Sequence, residues 1–87
     1  MNIKLYVYYT LTNIYIKEKN FKEIDTNVNK IVFLLKQEKN IPYYIIDLLL
    51  NVYIIKLNSE PNINEKTKYR YNNIILNLIK HKKLYEE

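Results

Sequence analysis

Between Tyr43 and Leu57 the chain carries Ile45, Ile46, Leu48, Leu49, Leu50, Val52, Tyr53, Ile54, Ile55 and Leu57, with only Asp47, Asn51 and Lys56 as strong polar interruptions. Wound as an α-helix, this stretch is apolar on nearly every side, and such a helix expects neighbours on more than one side. It is therefore expected to be the most buried element of a small domain. Counted from Pro42, the run is shorter than the roughly 20 residues a bilayer-spanning helix requires, so no membrane span is expected. Asn40-Ile41-Pro42 separates it from what precedes, because proline clashes with a continuing turn yet suits the start of a new helix.

The remaining segments read as helices with narrower apolar stripes. Residues 22–38 give the cleanest period: Ile24, Val28, Ile31 and Leu35 share a face, while Lys22, Glu23, Asn27, Lys30 and Gln37 are expected to face away. Residues 3–17 place Tyr8, Leu11 and Tyr15 three and four apart, with Val7 and Ile14 beside them. Their β-branched and aromatic content also permits a strand from Lys4 to Tyr9. Lys19-Asn20 fits a turn. Asn58-Ser59-Glu60-Pro61-Asn62-Ile63-Asn64 reads as a loop. Residues 65–80 follow as a fourth helix, with Tyr71, Ile74, Ile75, Leu78 and Ile79 on its apolar face. His81-Lys82-Lys83 is expected to form a turn at the negative end of the helix dipole. A further helix would begin at Leu84-Tyr85-Glu86-Glu87. The expected fold is all-α, a small helical bundle or short stack of antiparallel helical hairpins with about four helices, in one domain over residues 1–87. Such a domain is small enough to be a fragment, or a subunit completed by a partner.

Composition narrows the chemistry. Cysteine and glycine are absent, which removes thiolate nucleophiles, cysteine-based zinc sites and glycine-rich phosphate loops. His81 is the single histidine and is expected as an exposed residue at a helix end. Asp47, in the most apolar helix, is expected to accept a hydrogen bond from a tyrosine hydroxyl or to pair with Lys56. No catalytic, cofactor or metal constellation is legible, and a non-enzymatic protein without a small-molecule substrate is expected. Isoleucine, asparagine, lysine and tyrosine make up more than half the chain, a mixture that an AT-rich genome would produce. The formal charge of +5 has the same explanation, although it also favours anionic partners. No signal peptide is evident, which favours an intracellular setting.

One phrase recurs. Leu11-Thr12-Asn13-Ile14-Tyr15-Ile16-Lys17 is echoed by Leu49-Leu50-Asn51-Val52-Tyr53-Ile54-Ile55 and more loosely by Ile74-Ile75-Leu76-Asn77-Leu78-Ile79-Lys80. Tyr69 to Glu86, with its aromatic, asparagine, apolar run, basic turn and acidic end, resembles the first helix and turn of a pentatricopeptide repeat, within the wider tetratricopeptide-like hairpin group. Tyr8 to Glu23 fits the same frame. The resemblance implies stacked helical hairpins that bind single-stranded RNA, with an organelle as one setting. It places base-reading positions at Thr10, Leu48 and Asn73, of which only Thr10 and Asn73 can hydrogen-bond a base. A non-repetitive bundle remains the alternative, since the phrases are spaced 38 and 25 residues apart, against the roughly 34 of these families.

The ten tyrosines are the conspicuous surplus. Interfaces favour tyrosine for its large rigid ring and hydroxyl, and on RNA the ring stacks with bases while nearby cations meet phosphate. The contact residues this reading selects are Tyr69, Arg70, Asn73, Lys80, Lys82 and Lys83. The expected role is protein–protein interaction, through self-association or as a structural subunit of an assembly; the alternative is a single-stranded RNA-binding helical-repeat module.

Overall fold

A computed structural model of the chain describes residues 3–59 and 63–86. They form four helices, α1 (Ile3–Glu18), α2 (Phe21–Leu35), α3 (Tyr43–Ser59) and α4 (Glu65–Glu86), with no strand among the described residues. The fold is all-α, and the strand permitted for Lys4 to Tyr9 is not formed. Helix α1 packs on α2 and α3 packs on α4, giving two compact units divided between Ile41 and Pro42.

The first hairpin turns within two residues. Asn20 N–H donates to the Tyr15 carbonyl and Lys19 N–H to the Ile16 carbonyl. This pattern closes a helix by throwing one residue into the left-handed region, here Lys19 with φ 57°. Glycine usually takes that position, and this chain has none. Asn20 then opens α2: its side-chain oxygen accepts from the Glu23 N–H at 3.3 Å and its carbonyl from the Ile24 N–H.

Ile24, Val28 and Ile31 of α2 are buried as their spacing requires. Two expectations for this hairpin need correcting. Asn27 is not turned away but is buried, with its amide nitrogen donating to the Glu23 carbonyl at 2.8 Å. In α1 the fully buried residues are Leu5 and Thr12, whereas Tyr8, Leu11 and Tyr15 are half-buried and Val7 and Ile14 are exposed. Thr12 is tolerated there because its hydroxyl donates to the Tyr8 carbonyl at 2.6 Å, which leaves no unsatisfied group. Helix α2 also stops at Leu35, short of the expected 38, in tight turns from Gln37 to Leu34 and from Glu38 to Leu35. The apolar period ends at the same place, so nothing draws Lys36 to Asn40 onto the hairpin.

In the second hairpin α3 buries Ile45, Ile46, Leu48, Leu49 and Val52, more residues than any other helix. The Pro42 carbonyl accepts the Ile45 and Ile46 N–H groups and so starts the helix as expected. Part of the expected loop, residues 60–62, lies outside the described residues. Asn64 caps α4, its side-chain oxygen accepting from the Thr67 N–H at 2.8 Å. Tyr43 meets Tyr85 edge-on at 5.9 Å and Tyr53 meets Tyr71 at 5.4 Å, so α3 and α4 run antiparallel.

The turn expected at His81-Lys82-Lys83 is absent, and α4 continues through it to Glu86. Those residues include no glycine or proline, and a basic last turn suits a helix without ending it. Leu84 and Tyr85 therefore extend α4 and do not open another helix.

Candidate interaction surface

Helix α4 has two sides. Leu78 is buried and Tyr71, Ile74 and Ile75 are half-buried on the side that meets α3. At about 100° per residue, the opposite side gathers Tyr69, Asn73, Leu76, Lys80, Lys83 and Leu84. All six are exposed: Tyr69 by 70%, Leu76 by 58% and Leu84 by 69%. Asn73, Leu76, Asn77, Ile79, Lys80 and Lys83 line one open hollow along this side. Ile79, expected on the inner face, sits at its margin and is 37% exposed.

Four of the six residues selected from sequence thus share a face: Tyr69, Asn73, Lys80 and Lys83. Arg70 is exposed but lies about 100° around the helix from Tyr69. Lys82 faces inward. Its ammonium is 3.0 Å from Asp47 Oδ1 on α3 and 5.8 Å from the centre of the Tyr43 ring. The hydrogen bond to Asp47, then the Asp47 charge, holds Lys82 above its ordinary value of 10.5. Asp47 therefore pairs across the hairpin with Lys82. Lys56 instead places its ammonium over the Tyr53 and Tyr71 rings at 5.9 and 5.4 Å.

The tyrosine surplus is partly internal to the hairpins. Tyr43, Tyr53, Tyr71 and Tyr85 make the ring contacts of the second hairpin, and Tyr8 lies beneath the Lys30 ammonium in the first at 5.3 Å. Tyr69 is the strongly exposed ring of the selected patch. Leu76 was not among the residues selected from sequence and Leu84 was assigned to the start of a further helix, although the spacing 69-73-76-80-83/84 marks a second helical stripe opposite the inner one.

A second hollow, of about 370 Å³, lies in the first hairpin among Lys4, Tyr8, Asn29, Lys30, Phe33 and Leu34. Its polar groups are two ammoniums, an amide and a phenol, with no carboxylate or imidazole among them. Of the three base-reading positions implied by the repeat resemblance, Leu48 is buried in α3. Thr10 is exposed and donates its hydroxyl to the Tyr6 carbonyl, and Asn73 is exposed on the outer face of α4. No described helix is long and apolar enough to cross a membrane. Among the described residues no group of three or more His, Cys, Asp or Glu side chains could hold a metal ion. Compared with protein-family models, curated proteins and solved structures, the chain matches none of them.

Proposed function

We propose that the protein is a non-enzymatic interaction module that associates with protein through the outer face of α4. The observation that carries this reading is the row Tyr69, Leu76, Ile79 and Leu84, exposed along a 22-residue helix whose other side already meets α3. A ring and three aliphatic side chains on one helix face give apolar area to bury, and flanking asparagine and lysine give a polar rim. The test is a photo-crosslinking side chain introduced at Leu76 and, as control, at exposed Lys22 on the first hairpin. In cells that make the protein, a discrete crosslinked protein is expected from position 76 alone. Equal yields from both positions would sink the reading.

Single-stranded RNA binding is the second reading, favoured by Tyr69, Asn73, Lys80 and Lys83 on one face, where a ring could stack and two ammoniums could meet phosphate. Arg70 off the row, Lys82 bound to Asp47 and Leu48 buried all weigh against a continuous basic track. Titration with short RNA at two salt concentrations separates the readings, because phosphate contacts weaken as salt rises. Undetectable binding at low salt would remove the RNA reading.

A further inference from the structure

Resting on the association reading, we infer that the partner of α4 is a second copy of the same helix, packed antiparallel about a two-fold axis between Asn77 and Leu78. The inference starts from the spacing of the exposed residues. Tyr69, Asn72, Leu76, Ile79, Lys83 and Glu86, all exposed, recur at alternating intervals of three and four, the spacing of the a and d positions of a two-helix coil, with the aliphatic pair at its middle and polar members towards its ends. In an antiparallel pair, a positions face d positions of the other helix. Leu76 then meets Ile79, Asn72 meets Lys83 and Tyr69 meets Glu86, each pair occurring twice by symmetry.

This register suits the charges. The aliphatic residues meet at the centre, each lysine of the seam faces an amide, and the Tyr69 hydroxyl can donate to the Glu86 carboxylate. The flanking positions agree, since Asn73 comes beside Lys80 of the other copy. A parallel pair would set Lys83 against Lys83 and Glu86 against Glu86, like charges at close quarters. Sliding the antiparallel pair by one heptad would oppose Leu76 with Asn72 and bring Lys66 beside Lys80. One arrangement of the seam satisfies both its apolar and its charged members.

The experiment uses the absence of native cysteine. In the full chain carrying Asn72→Cys and Lys83→Cys, the two introduced thiols lie about 16 Å apart along one helix. That is beyond the ~7 Å Cα reach of a disulfide, so any bond between them joins two copies. Under mild oxidation a covalent dimer is expected from this pair. Asn72→Cys alone should give little, as should Glu65→Cys with Lys83→Cys, which reports the slid register. Sedimentation of the unmodified chain should rise towards twice the monomer mass with concentration, and Leu76→Glu should hold it at monomer. A chain monomeric at all concentrations, or a preferred crosslink between positions 65 and 83, overturns the inference. If the chain stays monomeric while a crosslinker at Leu76 captures another protein, self-pairing fails and the association reading stands. If neither occurs, both fail.

Discussion

The two hairpins of this chain bury their residues by different rules. In α2 the buried residues Ile24, Asn27, Val28 and Ile31 span an arc of about 100°, whereas in α3 Ile45, Ile46, Leu48, Leu49 and Val52 span about 160°. The first hairpin admits polar residues to its interior and disposes of their polarity locally. Buried Thr12 and Asn27 each donate to the carbonyl four residues earlier, as do half-buried Asn13 and exposed Thr10 and Thr26, a habit that lets such residues sit within a helix. The second hairpin buries apolar side chains and keeps its charged groups at the edges, with Lys56 over Tyr53 and Tyr71 and Lys82 between Asp47 and Tyr43. A chain without alanine or glycine can therefore close a helical pair with self-satisfied polar residues or with a wide apolar arc.

The comparison breaks most sharply if the hairpins do not behave as separate units. Ile31→Ala in α2 and Leu49→Ala in α3 each remove a buried aliphatic side chain, and each should cost about 2–5 kcal/mol. Residue-resolved hydrogen exchange should show the lost protection confined to the hairpin that carries the substitution, since each forms its own compact unit. Uniform loss across α1 to α4 from either substitution would show one cooperative unit instead.

Asn27→Asp probes the rule peculiar to the first hairpin. The substitution deletes the donor to the Glu23 carbonyl and puts a carboxylate where Asn27 is only 4% exposed. A loss of about 2–3 kcal/mol is expected near neutral pH, the cost of a buried group without its hydrogen bond. The loss should shrink as pH falls, because a protonated carboxyl regains a donor. Chemical denaturation at two pH values measures both. A loss that does not change with pH would mean that the buried carboxylate is not its cause.

What was legible in the sequence follows from the same contrast. The spacing of Ile24, Val28 and Ile31 and the broad apolarity of α3 express burial through apolar residues, so periodicity reveals them, and the break at Asn40-Ile41-Pro42 is legible because proline cannot continue a helix. Thr12 and Asn27 escaped because a back-bonded polar side chain is buried while its letter reads as solvent-facing. The Lys82–Asp47 pair escaped because it depends on the register of α4 against α3. The continuation of α4 past His81 was misread because a basic helix end looks like a stop where no residue breaks the helix. On the candidate surface, Tyr69, Asn73, Lys80 and Lys83 were legible as a composition, and the aliphatic row between them was hidden by counting Ile79 with the inner face.

The two turns sharpen the contrast at smaller scale. Lys19 holds φ 57° to close α1, a left-handed conformation that is unfavourable for a residue with a Cβ. Lys19→Gly should therefore raise the stability of the first hairpin by about 1 kcal/mol, offset in part by the greater freedom of glycine in the unfolded chain. The second hairpin should be unaffected by hydrogen exchange. A neutral or destabilising result would mean that the Lys19 side chain contributes more than its backbone costs.

The smallest effect is expected from the charged edge of the second hairpin. Lys82 is held above 10.5 by its hydrogen bond to Asp47, by the Asp47 charge and by Tyr43. For a lysine whose folded value is raised, the protonated form is favoured by folding, so the contribution is fully present below 10.5. It is lost as pH rises through the raised folded value. Lys82→Met keeps an unbranched apolar side chain and removes the charge beside Asp47 and Tyr43. The variant should melt slightly below the native chain from neutral pH up to the lysine range, and the gap should close at higher pH, where native Lys82 is neutral too. Because the Lys82 and Asp47 side chains are 34% and 47% exposed, the gap should also narrow with added salt. Asp47→Asn should behave alike, and the double substitution should cost less than the sum of the two. Strict additivity would show that the contact at 3.0 Å contributes nothing to folding, and the polar edge of the second hairpin would then be solvated surface, leaving its apolar arc to set it apart from the buried Thr12 and Asn27 of the first.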